Sequence, residues 1–193
     1  MSLSSFSCTT NQYPAPPPPT TRPRATATEW LGVHNAARVS PNLYRGGQPT
    51  HQGFLTLKDM GIKTIVDLRG RSHLDVVDGL GLSLEHIPAD VDKPDVDQII
   101  AFIHLTRDPN VVPVFVHDDF GADRVGLFVA AYRMVEEDWS VDDALSELPQ
   151  FHFDVYWTSV PIFLHKLDVK TIRAKLDAMP TTRPSTTRSA RQN

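Results

Sequence analysis

Short apolar strands alternating with amphipathic helices, followed by several helices in a row, predict an α/β fold. The expected form is a central, mostly parallel sheet flanked by helices on both faces. Three features carry this reading. Residues 111–116 form a run that is apolar throughout and rich in valine, as a fully buried strand requires. From about Asp123 the spacing becomes helical, with Val125, Phe128, Val129, Tyr132 and Val135 on one face. Between the two, Gly121 marks a tight turn.

The other elements follow in chain order. Residues 38–40 and 43–46 are expected as short strands, and residues 50–60 as a helix with Phe54, Leu57 and Lys58 at helical spacing. Residues 64–68 are β-branched and apolar, and residues 82–88 alternate, so both are expected as strands. Residues 95–106 carry Ile99, Ile100, Phe102 and Ile103 on a helical repeat. Ser140 with Asp143 three residues on forms a carboxylate variant of the capping box and starts a further helix.

The junction at 117–126 is the most informative segment. A strand that feeds a glycine-bearing loop into a helix N-terminus gathers backbone N–H groups into a concave nest, which prefers an anion. Arg124 in the first turn adds a planar fork suited to phosphate or carboxylate. The plainer alternative is an ordinary strand-turn-helix with a surface arginine. In open α/β sheets ligands sit beyond the carboxyl ends of the strands, where residues 118–124 fall.

His117-Asp118-Asp119-Phe120-Gly121-Ala122-Asp123-Arg124-Val125-Gly126 resembles the His-Cys-x-x-Gly-x-x-Arg-Ser/Thr-Gly signature of the cysteine-dependent protein tyrosine and dual-specificity phosphatases. The Gly-Ala-Asp-Arg form is close to a bacterial branch of that superfamily. Asn42-Leu43-Tyr44-Arg45-Gly46-Gly47-Gln48-Pro49 is similar to the branch's Leu-Tyr-Arg-Ser-Gly/Ala-Gln-Pro opening, and Gly61-Ile62-Lys63-Thr64-Ile65-Val66-Asp67-Leu68-Arg69 to its Gly-Ile-Lys-Thr-Val-Ile-Asn-Leu-Arg strand. Phe151-His152 and Phe163-Leu164-His165-Lys166-Leu167-Asp168 resemble its C-terminal helices, so the likeness runs from about residue 29 to 176.

The resemblance implies a phosphatase-like fold in which Asp119, Phe120, Gly121, Ala122, Asp123 and Arg124 form a phosphate-binding loop, with His117, Val125 and Gly126 in structural positions. It also implies action on a phosphorylated protein or small phosphate ester, with neither metal nor cofactor. Two positions depart from the signature. Asp118 stands where the family carries its nucleophilic cysteine, and a carboxylate attacks a phosphomonoester far less readily than a thiolate does. Val125 stands where a serine or threonine hydroxyl supports the departing thiolate. The expectation is therefore a catalytically impaired pseudophosphatase, in which Asp118 accepts backbone N–H bonds and pairs with Arg124 as a built-in phosphate mimic. The alternatives are a hydrolase that uses Asp118 as an aspartyl nucleophile, one whose native form has cysteine at position 118, and a scaffold that binds phosphoprotein through Arg124.

The family's general acid lies about thirty residues before the nucleophile, since the leaving oxygen needs a proton. Asp90 and Asp92 are the candidates by spacing, with Asp97 an outside one; a solvated turn and a helix N-terminus bearing Asp95 and Asp97 explain the same carboxylates. His117-Asp118 is also the dipeptide of helical metal-dependent phosphohydrolases, but here it ends an apolar strand.

Composition supports one domain, placed at residues 29–180, between two disordered tails. Residues 1–28 contain six prolines between Pro14 and Pro23 and no acid; residues 181–193 carry Arg183, Arg188 and Arg191 and no acid. The domain keeps 14 basic against 23 acidic residues, a balance that argues against nucleic acid as a partner. Cys8, the single cysteine, excludes a disulfide framework. The N-terminus lacks a basic segment followed by an apolar one, so a cytoplasmic location is expected, with an exported form left open. No transmembrane run is evident, and the oligomeric state is left open.

Overall fold

Four parallel strands that make up one side of a six-stranded sheet set the position of everything else. The computed structural model describes residues 23–71, 77 and 79–180. Its strands are β1 (Thr28–Trp30), β2 (Val33–Arg38), β3 (Leu43–Gly46), β4 (Thr64–Asp67), β5 (Ser83–His86) and β6 (Val114–His117). They lie in the order β1-β2-β3-β6-β4-β5. Strands β3, β6, β4 and β5 run parallel to their neighbours, and β1 and β2 extend the β3 edge in antiparallel fashion. The register sets Gly46 and Asp67 on either side of His117, so the carboxyl ends of three strands coincide.

The helices are α1 (His51–Asp59), α2 (Val96–Arg107), α3 (Asp123–Glu136), α4 (Val141–Glu147), α5 (Ser159–His165) and α6 (Val169–Ala178), with a 3-10 turn at Leu148–Phe151. Alternation along the strands divides the core between two faces. Val114 and Val116 point to the face shared with the buried residues of α2, α3, α5 and α6, while Phe115 points with Ile65 to the α1 face, against Phe54 and Leu57. Both faces of β6 are thereby covered, and all four of its residues are buried. On the larger face Phe102 of α2 meets Phe128 of α3 edge-on, with ring centres 5.4 Å apart.

Caps fix the helix starts where the sequence placed them. Thr50 Oγ1 accepts from Gly53 N at α1, Asp95 Oδ1 from Asp97 N at α2, and Ser140 Oγ from Asp143 N at α4 while donating to Asp143 Oδ2. The strand boundaries differ more. The strand expected at 38–40 lies instead at Val33–Arg38, and β1 had no counterpart in the sequence reading. Strand β1 is a three-residue edge strand, and the burial of β2 does not alternate in a simple way, which hides the period of both. Strand β6 starts at Val114 rather than residue 111. Val111 and Val112 donate to Asp108 O at the end of α2, and Pro113 has no N–H to give a ladder.

Residues 23–28, assigned to the arm from composition, lie on the domain: Ala25 is buried and its N–H donates to Glu147 Oε1 at 2.8 Å. Residues 1–22 and the basic tail at 181–193 fall outside the described residues. No described helix is long and apolar enough to cross a membrane.

Glu147 also binds Arg133, Oε2 to Nε at 3.2 Å and Oε1 to Nη2 at 2.8 Å, with both side chains 2% exposed. Arg133 donates further to Val39 O and Glu137 and lies over the Trp139 ring. This pair ties α3, α4, the end of β2 and the N-terminal segment together. Removing Glu147 leaves buried Arg133 with the partly exposed Glu137 alone and takes the acceptor from Ala25 N–H, both of which are costly in a core. Glu147→Ala is therefore expected to lower the unfolding free energy by about 3–5 kcal/mol, read by urea denaturation.

Candidate functional site

Strand β6 ends at His117, and the chain turns through 118–122 into the first residue of α3, Asp123. Gly121 makes that turn with φ of +72°, and a Cβ built there would lie 2.5 Å from the backbone of Gly46 and Gly47, so no larger residue fits. The loop carbonyls are held outward. Asn35 Nδ2 donates to Phe120 O, Gly121 O and Phe151 O at 3.0–3.2 Å, and Arg45 Nη2 donates to Gly121 O at 2.7 Å. With the carbonyls fixed on one side, the N–H groups of the loop converge on the other.

What they converge on is the loop's own first side chain. Asp118 Oδ1 accepts from Phe120 N at 2.9 Å and from Gly121 N, and Oδ2 accepts from Arg124 N at 3.0 Å and Val125 N at 3.3 Å. The residue is 3% exposed. The predicted nest is present, and a carboxylate fills it.

The expected Asp118–Arg124 side-chain pair is not formed. Arg124 gives Asp118 its backbone N–H, while its guanidinium Nη1 meets Asp119 Oδ2 at 3.3 Å. Both oxygens of Asp118 are already engaged by loop amides, so the arginine finds the more exposed neighbouring carboxylate. Arg124 Nε is buried without a partner.

Beneath and beside the loop lie charges that sequence reasoning did not assign. Arg45 is fully buried, with its guanidinium 3.6 Å from the centre of the Phe151 ring. Burial pushes it down to about 9, against the Glu147 and Asp118 carboxylates, which leaves it cationic at neutral pH. Asp67, at the end of β4, takes Arg69 in a two-pronged ion pair, Oδ1 to Nε at 3.0 Å and Oδ2 to Nη2 at 2.9 Å. Burial favours a protonated Asp67, but the Arg69 hydrogen bonds outweigh it and hold the carboxyl below its ordinary range. Arg45 and the Asp67-x-Arg69 pair sit inside the quoted motifs, where their roles carry no local signature; Asn35 gives no signal in the sequence at all.

The remaining predicted residues are placed as follows. His117 is buried and stacked on Phe115, with Nδ1 3.3 Å from Asp118 O; burial, opposed by Asp67, pushes its imidazole below the usual value. Val125 is fully buried, and a Cβ on Gly126 would come within 3.0 Å of Leu148. Ala122 is buried, while Phe120 is 73% exposed at the rim. A cleft of about 210 Å³ is lined by Asp118, Asp119, Phe120, Asp123, Arg124, Val91 and Trp157. The adjoining cleft shares Val91, Arg124 and Trp157 and includes Asp90 but not Asp92. Asp95 and Asp97 form the N-cap of α2, which accounts for Asp97 as a helix-start residue. Among the described residues no three His, Cys, Asp or Glu side chains converge as metal ligands would.

Residues 27–156 match the family model described as DSP-PTPase phosphatase fused to NAD+ kinase. The dual specificity protein phosphatase TpbA of Pseudomonas aeruginosa strain UCBPP-PA14 is 28% identical over 120 residues, which cover 62% of this chain and 55% of that protein. The chloroplastic NAD kinase 2 of Arabidopsis thaliana is 33% identical over 100 residues, 47% of this chain and 10% of that protein. The chain thus spans about half the length of the TpbA proteins it matches. Among solved structures, a variant of P. aeruginosa TpbA in complex with phosphotyrosine superposes with a TM-score of 0.71 at 24% identity, covering 83% of this chain and 100% of that one. The catalytic core of the S. cerevisiae PP-IP phosphatase SIW14 gives 0.67 at 18% identity, over 80% and 100% of the two chains.

Gly121→Ala is expected to cost at least about 1–2 kcal/mol from the left-handed backbone alone, with the clash added, as measured by thermal unfolding. The pH dependence has a defined sign. A His117 pKa lower in the folded state means that the unfolded chain binds more protons, so its contribution is complete above the unfolded value of about 6.5 and is lost as pH falls toward the folded value. Stability should drop as pH falls below about 6.5, and His117→Gln should flatten that part of the profile. Asp67 has the same sign, but its loss lies in a separate window below its unfolded value of about 3.9.

Proposed function

We propose, given that the chain belongs to the family of dual-specificity and tyrosine phosphatase domains described by that model, that it is a catalytically impaired member of it. The observation that carries this reading is the Asp118 carboxylate seated on four loop N–H groups. Those donors are what a transferring phosphoryl group would need for its developing charge. With an internal anion on them, a phosphate dianion meets repulsion instead of a vacant cradle, and a carboxylate attacks a phosphomonoester far less readily than the family's thiolate does. Val125 supports the reading too, since its buried side chain lacks the hydroxyl that would assist a leaving thiolate.

In this account Asp118 occupies the nucleophile position, Arg124 is the residual phosphate-orienting residue, and residues 119–124 are a loop that keeps its shape without its chemistry. Asp90 is the better assignment for the general-acid position, because it shares a cleft with Arg124 and Trp157 whereas Asp92 does not. We assign the domain to residues 29–180, preceded by the stretch at 23–28 that packs on it. The substrate class implied by membership is a phosphorylated protein or small phosphate ester.

Purified protein with p-nitrophenyl phosphate tests this directly. The unmodified chain should show background turnover only; clear turnover that Asp118→Ala abolishes would establish an aspartyl nucleophile and overturn the proposal. Asp118→Cys with Val125→Thr should raise turnover about a hundredfold or more, the lower end of what one positioned acid contributes. An inert double variant would mean that the acid loop has also lost its function.

A further inference from the structure

Around Asp119, at the lining of the cleft, lies a second convergence of charge that the filled nest does not use. Asp67 is 1% exposed and grips Arg69 through Nε and Nη2, leaving Nη1 directed at the loop, 3.9 Å from Asp119 Oδ1. Arg124 Nη1 approaches Asp119 Oδ2 at 3.3 Å. One half-exposed carboxylate therefore lies between two guanidinium groups, one oxygen toward each. Neither contact is as short as the roughly 2.7–2.9 Å of a well-formed charge-assisted bond. Asp119, tied to its backbone position at the start of the loop, cannot satisfy both forks at once. A tetrahedral oxyanion free to centre itself can, because it has more oxygens and more charge than the carboxylate it would displace.

We propose that Arg69 and Arg124 form an outer subsite for the phosphate group of a phosphomonoester, and that Asp119 is the built-in counter-ion that keeps it closed. The inference rests on the preceding reading only in that Asp118 keeps the inner nest filled. Arg69 is preorganised for this role, since its side chain is fixed by a buried partner and loses little freedom on binding. Phe120, 73% exposed, and Trp157 line the cleft with Asp119 and Arg124 and supply an apolar wall for the organic part of the ester. Asp119 sets the affinity. While it stands between the arginines, an incoming dianion must displace a tethered anion, and removing its charge should release both forks.

Calorimetric titration of the full chain with phenyl phosphate at low salt tests this. Asp119→Asn should tighten binding at least tenfold relative to the unmodified chain. Adding Asp67→Asn and Arg69→Gln together, so that no buried charge is left unpaired, should remove the gain. Unchanged affinity in Asp119→Asn overturns the proposal, as does a gain that survives the loss of Arg69, or one produced by Asp118→Asn and not by Asp119→Asn. If the triple variant does not fold, the Arg69 guanidinium resonance is followed in Asp119→Asn instead: it should shift on addition of phenyl phosphate, and an unmoved resonance overturns the subsite. Turnover recorded in the same samples separates the two readings. Hydrolysis by the unmodified chain would overturn impaired catalysis and leave the subsite standing, whereas unchanged affinity without hydrolysis removes the subsite alone.

Discussion

A loop that points several peptide N–H groups into one small volume needs an anion there, and in this protein the anion is covalently part of the loop. Loop amides that faced nothing away from water would each cost free energy comparable to a lost hydrogen bond. Asp118 satisfies four of them with two oxygens. The conformation of 118–125, the start of α3 and the outward set of the loop carbonyls are all consistent with that one carboxylate. An occupied nest is a stable structure in its own right, and it is also the reason a second anion is unwelcome in it.

The support beneath the loop is built from charges carried by other elements. Asn35 from β2 and Arg45 from β3 hold the carbonyls of Phe120 and Gly121, so these two strands dictate which way the loop amides face. Arg45 is fully buried, and its charge is balanced at a distance by Asp118 above and Glu147 to the side. Glu147 in turn holds Arg133 and the N–H of Ala25. Arg45 therefore links the site and the scaffold electrostatically, since the carboxylates of Asp118 and Glu147 both favour its charge.

Much of the fold was legible because its signals are local. The starts of α1, α2 and α4 follow from Thr50, Asp95 and Ser140, whose side chains reach N–H groups two or three residues on. Strands β3 and β4 follow from short runs bounded by turns, and the nest from a glycine between a strand and a helix. Strands β1 and β2 were less legible, since β1 is only three residues long and the polar His34 and Asn35 interrupt the pattern of β2. The proline-rich composition was also read too far, as far as residue 28, because Ala25 is held by a glutamate 122 residues away.

The sequence by itself determined the α/β class, the order of most elements, the anion-seeking loop and the presence of Asp118 at its head, because periodicity, capping and turn chemistry act over a few residues. Only the tertiary structure decided which charges meet. The crossover that places β6 between β3 and β4 brings Asp67 and Arg69 beside a loop some fifty positions later in the chain. It thereby gives Arg124 and Arg69 the same partner, Asp119, and leaves Asp118 to the backbone amides. Side-chain pairing of this kind depends on strand order and register rather than on spacing along the chain.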